Sequence, residues 1–189
     1  MRKLKLQMQL TLDGFVAGPN GEMDWMNHNW DDELNQYVGK ITEPVDGILL
    51  GRKLAEGFIP YWTAVAEDPQ NPENEAGKFF RDTPKVVFSN TLATSPWKNT
   101  VVASGDLEAK VSQLKAEEGG DLIVYGGGSF VSNLIRANLI DTYYLMISPV
   151  AIGKGMTVFA SLEKQFDLVL IESRSFACGI NLLCYAPKQ

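Results

Sequence analysis

From residue 2 to residue 10 the chain alternates polar and apolar side chains, with Leu4, Leu6, Met8 and Leu10 on one face and Lys5, Gln7 and Gln9 between them. A period of two predicts a β-strand. Turn signals follow at Asp13-Gly14 and Gly18-Pro19-Asn20-Gly21, within a loop long enough to suggest a functional role. Asn29 or Asp31 can cap a helix over about 31–41, which Pro44 closes off. Short apolar runs at 46–50, 84–88, 100–103, 121–125 and 142–148 predict further strands. Between them lie predicted helices from about Arg52 towards Phe58, near 73–81, from the Asp106 cap through about Glu117, and over 128–138. On the third of these Leu107, Val111 and Leu114 share a face, and Gly119-Gly120 ends it. Gly153-Lys154-Gly155 reads as a cationic turn, and 166–177 with 180–186 as a hairpin about Cys178-Gly179-Ile180-Asn181.

Strand and helix alternate over the first two-thirds, and the last third is β-rich. The expected fold is a single α/β domain over 1–189. Its sheet of about eight strands is predominantly parallel, with helices on both faces and an antiparallel C-terminal hairpin. The 189 residues suffice for one core, and 45% hydrophobic with 21% charged residues is ordinary for a globular chain. A net charge of −6 argues against nucleic acid as a partner. No apolar run reaches the length of a membrane span, and no signal peptide is visible, so a cytoplasmic protein is expected. Cys178 and Cys184 have neither metal-site nor redox spacing and are expected to be reduced.

Three chemical features directly follow predicted strands. Gly51-Arg52-Lys53 joins a glycine to two cations at a helix start, Ser89-Asn90-Thr91 is a hydroxyl and amide cluster, and Gly126-Gly127-Gly128 precedes Ser129 and Phe130. Glycines allow close backbone approach, and a helix start offers free N–H groups to an anion. In an open α/β sheet ligands sit outside the carboxyl ends of the strands. The three together predict a phosphate-bearing ligand.

The stretch from Leu12 to Trp25, Leu49-Leu50-Gly51-Arg52-Lys53, Val124-Tyr125-Gly126-Gly127-Gly128-Ser129-Phe130 and Ser148-Pro149-Val150-Ala151-Ile152-Gly153-Lys154-Gly155 give the chain a family likeness. It resembles the dihydrofolate reductase-like proteins, in particular the C-terminal reductase domain of riboflavin biosynthesis. The resemblance implies NADPH as cofactor. Its pyrophosphate would rest on Gly126-Gly127-Gly128 and the helix start at Ser129. Arg52 and Lys53 would face the adenosine phosphates, Ser89, Asn90 and Thr91 the 2′-phosphate, and Val16 and Ala17 would close over the nicotinamide. It also implies a cis Gly126–Gly127 bond.

Two departures bear on the substrate. Tyr125 stands where riboflavin-pathway reductases usually carry a glutamate, and no arginine occurs between Gly14 and Gly51, where they bind a ribose phosphate. The expected activity is NADPH-dependent reduction of a small heteroaromatic compound, pterin- or aminopyrimidine-like. A non-catalytic NADP(H)-binding sensor, a dihydrofolate reductase and a domain binding no nucleotide are the alternatives. Asp24, beside the apolar ring of Trp25, and Asp31, with Asp32 and Glu33 at a helix start, are candidate acids. The single histidine, His28, is a further candidate proton donor but reads better as a loop residue. Trp25, Phe58, Trp62 and Tyr125, with Tyr61, are candidates to line the substrate cleft. The C-terminal strands and Tyr143-Tyr144-Leu145-Met146 suggest a homodimer.

Overall fold

The computed structural model describes residues 1–26 and 29–188. The alternating first segment forms strand β1 (Leu4–Thr11), and it lies at the middle of the sheet rather than at an edge. Eight strands run in the order β4-β3-β2-β5-β1-β6-β8-β7. The others are β2 (Val45–Gly51), β3 (Lys85–Phe88), β4 (Thr100–Ala103), β5 (Asp121–Val124), β6 (Thr142–Ser148), β7 (Leu168–Ser175) and β8 (Asn181–Pro187). The six strands β1 to β6 pair in parallel, and β8 lies antiparallel between β6 and β7.

Helices cover both faces, because parallel strands need crossovers and right-handed crossovers lay helices on the sheet. On one face Leu4, Leu6, Met8 and Leu10 of β1 pack with helices α4 (Leu107–Ala116) and α5 (Gly128–Arg136) through Val111, Val131, Leu134 and Ile135. On the other face two smaller apolar clusters form. One gathers Ile48, Leu50 and Ile123 with Ala55 and Ile59 of helix α2 (Arg52–Glu67), and Phe79 and Phe80 of α3 (Asn74–Asp82) pack against it. The other gathers Leu34 of helix α1 (Asp32–Thr42) with Met146, Phe176, Ile180 and Leu182.

Helix α2 corrects one expected boundary. It continues far past Phe58, through Pro60, to Glu67. Proline lacks the N–H that would bond the carbonyl of Glu56, but both residues are exposed, so water can serve that carbonyl. The helix also buries Ala55, Ile59, Val65 and Ala66, which holds it together. Both cysteines are free thiols, Cys184 buried in β8 and Cys178 in the turn before it. No described helix is long and apolar enough to cross a membrane.

Candidate functional site

Strands β2 and β5 are neighbours, with Leu49 opposite Val124, so the helices that follow them start side by side. Both starts are unusual within this chain. Helix α1 is capped by Asp31 and α4 by Asp106, with two acids in the first turn of α1 and one in that of α4. Helices α2 and α5 have glycine N-caps, Gly51 and Gly127, with no side-chain cap and no acid in the first turn. The first backbone N–H groups of each, and the positive end of each dipole, are left for an outside acceptor.

Phe130 draws the strand ends together. A Cβ on Gly51 would lie 2.8 Å from Phe130 Cβ, and one on Gly127 would lie 3.7 Å from it. The Phe130 ring is 5.0 Å from that of Phe88, at the end of β3. Gly51 is therefore glycine because no side chain fits. Gly127 is glycine because its φ of +84° is left-handed, which other L-residues adopt at a cost. Gly126 and Gly128 have ordinary room. No described peptide bond is cis, so the expected cis Gly126–Gly127 bond is corrected: the left-handed Gly127 makes the turn instead.

The long loop after β1 is ordered onto this corner. Val16 is buried, its Cγ2 at 4.0 Å from where a Cβ on Gly128 would sit. Ala17 pairs with Met156 in an isolated antiparallel bridge. Asp13 ties the loop down by accepting from the backbone N–H groups of Ile152 (3.1 Å) and Gly153 (2.7 Å). The Thr11 hydroxyl and these amides hold its carboxyl below the usual carboxylate range.

The cationic and hydroxyl features occupy the expected strand ends with local partners of their own. Arg52 is ion-paired with Glu56 one turn along α2, and Lys53 is exposed. Ser89 Oγ accepts from the backbone N–H groups of Thr91 and Leu92, both at 3.1 Å, and Asn90 Oδ1 accepts from Gly105 N. Asn90 and Thr91 are exposed, as is Ser129.

Four of the five aromatic residues expected to line a substrate cleft do meet, Tyr61 lying edge-on to Trp62 at 5.1 Å. Phe58 stacks on Tyr125 with centroids 5.7 Å apart and meets Trp62 edge-on at 6.1 Å. Phe80 of α3 joins them, 4.3 Å from Trp62 and 5.1 Å from Tyr125. Sequence reading missed Phe80, which sits beside Phe79 on a short helix after an acidic loop and meets these rings only through the packing of α3 on α2. Burial pushes the Tyr125 phenol pKa up, and its hydroxyl is buried without a partner. Trp25 is half-buried in the first loop, its indole N–H also unpartnered, and no ring contact joins it to the others.

The candidate acids fare differently. Asp31 accepts from Leu34 N at 2.8 Å and from Cys178 N at 2.9 Å, and these bonds lower its pKa. A carboxylate so held is a helix cap and a poor proton donor, which corrects its expected catalytic role. Asp24 is exposed in a turn beside the half-buried Trp25. His28 lies outside the described residues.

An open depression of about 680 Å³, lined by Asp46, Lys78 and Pro84 among others, lies at the amino-terminal end of β2 and β3. It is at the wrong end of the strands to serve the glycine corner.

Comparison with known proteins agrees with this geometry. Residues 2–182 match the family profile of the RibD C-terminal domain. The uncharacterized protein YyaP of Bacillus subtilis (strain 168) is 32% identical over 184 residues, which are 97% of this chain and 94% of YyaP. Among solved structures, a diaminohydroxyphosphoribosylaminopyrimidine deaminase/5-amino-6-(5-phosphoribosylamino)uracil reductase from Thermotoga maritima superposes with a TM-score of 0.67 at 21% identity. The match covers 99% of this chain and 57% of that longer one. Dihydrofolate reductase from Enterococcus faecalis, complexed with NADP(H), superposes with a TM-score of 0.58 at 17% identity, covering 99% and 97% of the two chains. The fold is dihydrofolate reductase-like, and the chain belongs to the RibD C-terminal domain family.

Proposed function

We propose that this protein is an NADPH-dependent reductase of a small planar heteroaromatic compound. One observation carries the reading: two uncapped, acid-free helix N-termini start side by side at the carboxyl ends of adjacent parallel strands. That arrangement suits a diphosphate, and the basic pair Arg52-Lys53 gives it countercharge. A solved relative in fold carries NADP(H). NADPH, when bound, supplies the hydride.

The chain's own residues then have separable tasks. The free N–H groups at the start of α5 bind the pyrophosphate, and Arg52 and Lys53 neutralise phosphate charge. Ser89, Asn90 and Thr91 serve the 2′-phosphate. Val16 and Ala17, pinned by Asp13 through the 152–153 amides, exclude water from the nicotinamide side. Phe58, Trp62 and Tyr125, with Phe80, give the substrate an apolar wall. Asp24, exposed on the loop that carries Val16 and Ala17, is the carboxylate that passes a proton from solvent. Tyr125 in place of a glutamate, and the absence of arginine between Gly14 and Gly51, disfavour a phosphoribosyl substrate. The exposed apolar edge of β7 supports a homodimer.

The test is NADPH titration followed by NADPH oxidation with a panel of pterins and aminopyrimidines. Wild type is expected to bind NADPH, and Arg52→Ala to weaken binding about tenfold, the scale of one charge-assisted hydrogen bond. The difference should shrink at high salt. Binding without turnover on any compound would favour the sensor. No NADPH binding would overturn the reading.

A further inference from the structure

The loop ordered onto the glycine corner carries a reactive pair that neither the fold nor the cofactor reading uses. Asn20-Gly21 is the one Asn-Gly pair in the chain, and both residues are exposed. They form the tip of a tight turn, in which Gly18 N donates to Glu22 O at 2.8 Å and Gly21 N to Gly18 O at 3.1 Å. Gly21 takes a left-handed φ of +92°, which favours glycine. Just before the turn, Val16 N donates to Met156 O and Met156 N to Ala17 O, both at 2.8 Å.

An asparagine followed by glycine holds an electrophile and a nucleophile within reach of each other. Gly21 N, giving its proton to solvent, can attack Asn20 Cγ. The Cγ–Nδ2 bond then breaks, and the nitrogen leaves as ammonia from a five-membered imide. Water opens the imide at either carbonyl, leaving an aspartate or an isoaspartate whose main chain runs through the former side chain. Glycine speeds the attack because it has no side chain to hinder the approach.

In the structure the pair is held apart. Glu22 reaches back over the turn, Oε1 accepting from Asn20 Nδ2 at 2.7 Å and Oε2 from Asn20 N at 2.9 Å. The Asn20 amide in turn holds the Glu22 carboxyl below the usual carboxylate range. Asn20 Cγ is thus fixed through its own leaving nitrogen, while Gly21 N is engaged with Gly18 O. Gly18 leaves room for this arrangement: a Cβ there would collide with Glu22 Oε2, although its backbone is not left-handed. We propose that Asn20-Gly21 is a deamidation site gated by Glu22, held while the carboxylate bonds the amide and converted when the turn opens. Conversion is one-way. The product lacks the Nδ2 donor and sets a second carboxylate against Glu22, and an isoaspartate also lengthens the main chain between Gly18 and Glu22. Either product loosens the segment next to Val16 and Ala17, so that, on the cofactor reading above, the converted protein binds NADPH less well.

Wild type, Glu22→Ala and Gly18→Ala, each as the full chain, are incubated at mildly alkaline pH, and conversion at position 20 is followed by peptide mass spectrometry. A free peptide spanning 15–25 gives the ungated rate. Wild type should convert at least about tenfold more slowly than the peptide, the factor that hydrogen bonds to a charged group supply. Glu22→Ala should recover most of that factor. Gly18→Ala, which keeps the carboxylate but crowds it out, should speed conversion several-fold, and it carries the test if Glu22→Ala does not fold. Asp31→Ala, which weakens the fold away from this turn, should convert as slowly as wild type, separating turn opening from global unfolding. Converted wild type should bind NADPH several-fold more weakly than fresh protein, and Asn20→Asp should do the same. Wild-type rates in both turn variants, or acceleration by Asp31→Ala as large as theirs, would overturn the proposal. Gated conversion in a protein that binds no NADPH would overturn the cofactor reading alone.

Discussion

Asp31 illustrates how a residue that looks chemical in the sequence turns out to be structural. Its two oxygens join the start of α1 to the backbone of Cys178, residues far apart in the chain. Asp31→Ala is expected to lower Tm by about 2–4 °C, as loss of an N-cap does in a domain of this size. Asp31→Asn, a good cap itself, should lose less. The pH dependence has a definite sign. The folded pKa lies below the unfolded value of 3.8, so the stabilisation is present above that value and is lost as pH falls through the folded pKa. Wild type should therefore lose its advantage over Asp31→Asn in acid, measured by thermal melts across pH. Gln7 shows the limit of reading a strand by its alternation, since it is buried in the middle of the sheet. The alternation marks a strand, and only the sheet order reveals that both of its faces are covered. The signal was present, since a strand predicted for a parallel sheet ought not to alternate, but it conflicted with the period-two rule that identified the strand.

Elements were legible where local chemistry and tertiary packing agree. The caps Asp31 and Asp106, and the strands at 100–103 and 142–148, follow from local signals that the fold does not override. Helix α2 departs because packing overrides a breaker: Pro60 lies inside it, yet the residues beyond bury Val65 and Ala66. Pro60→Ala should raise stability by about 1–3 kcal/mol, read by denaturant titration, because it restores a helical hydrogen bond and removes the ring's clash. At the glycine corner the effect has the opposite sign. Gly51→Ala would force a methyl against Phe130 Cβ and should cost about 1–3 kcal/mol. Gly51→Ala paired with Phe130→Ala should recover part of that loss, as expected of residues in contact. The glycine run was visible as a run. Which of its members is indispensable was not, because that depends on φ at Gly127 and on Phe130 lying across from Gly51.

At the scale of the molecule, the alternation of strands and helices foretold the parallel sheet and its antiparallel finish, but not the strand order. Nothing local says that β8 inserts between β6 and β7, leaving β7 at the edge. That edge exposes Val169, Leu170 and Ile171, at 51%, 51% and 59%, beside a bulge between Leu170 and Glu172. Consecutive exposed apolar residues on an edge strand invite pairing with another chain. Light scattering should find a particle of twice the 20.9 kDa chain, and Leu170→Lys with Ile171→Lys should leave a monomer of unchanged circular dichroism.

The central position of β1 also sets the order of events during synthesis. Strand β1 pairs only with β5, at Asp121–Val124, and β6, at Thr142–Ser148, both synthesised long after it. At about 5–20 residues per second, it waits roughly 6–30 seconds for its neighbours. Throughout that interval Leu4, Leu6, Met8 and Leu10 have no face to cover them. A nascent chain halted after Ala116 should be protease-sensitive and bound by chaperones, and one halted well past Ser148 should resist cleavage.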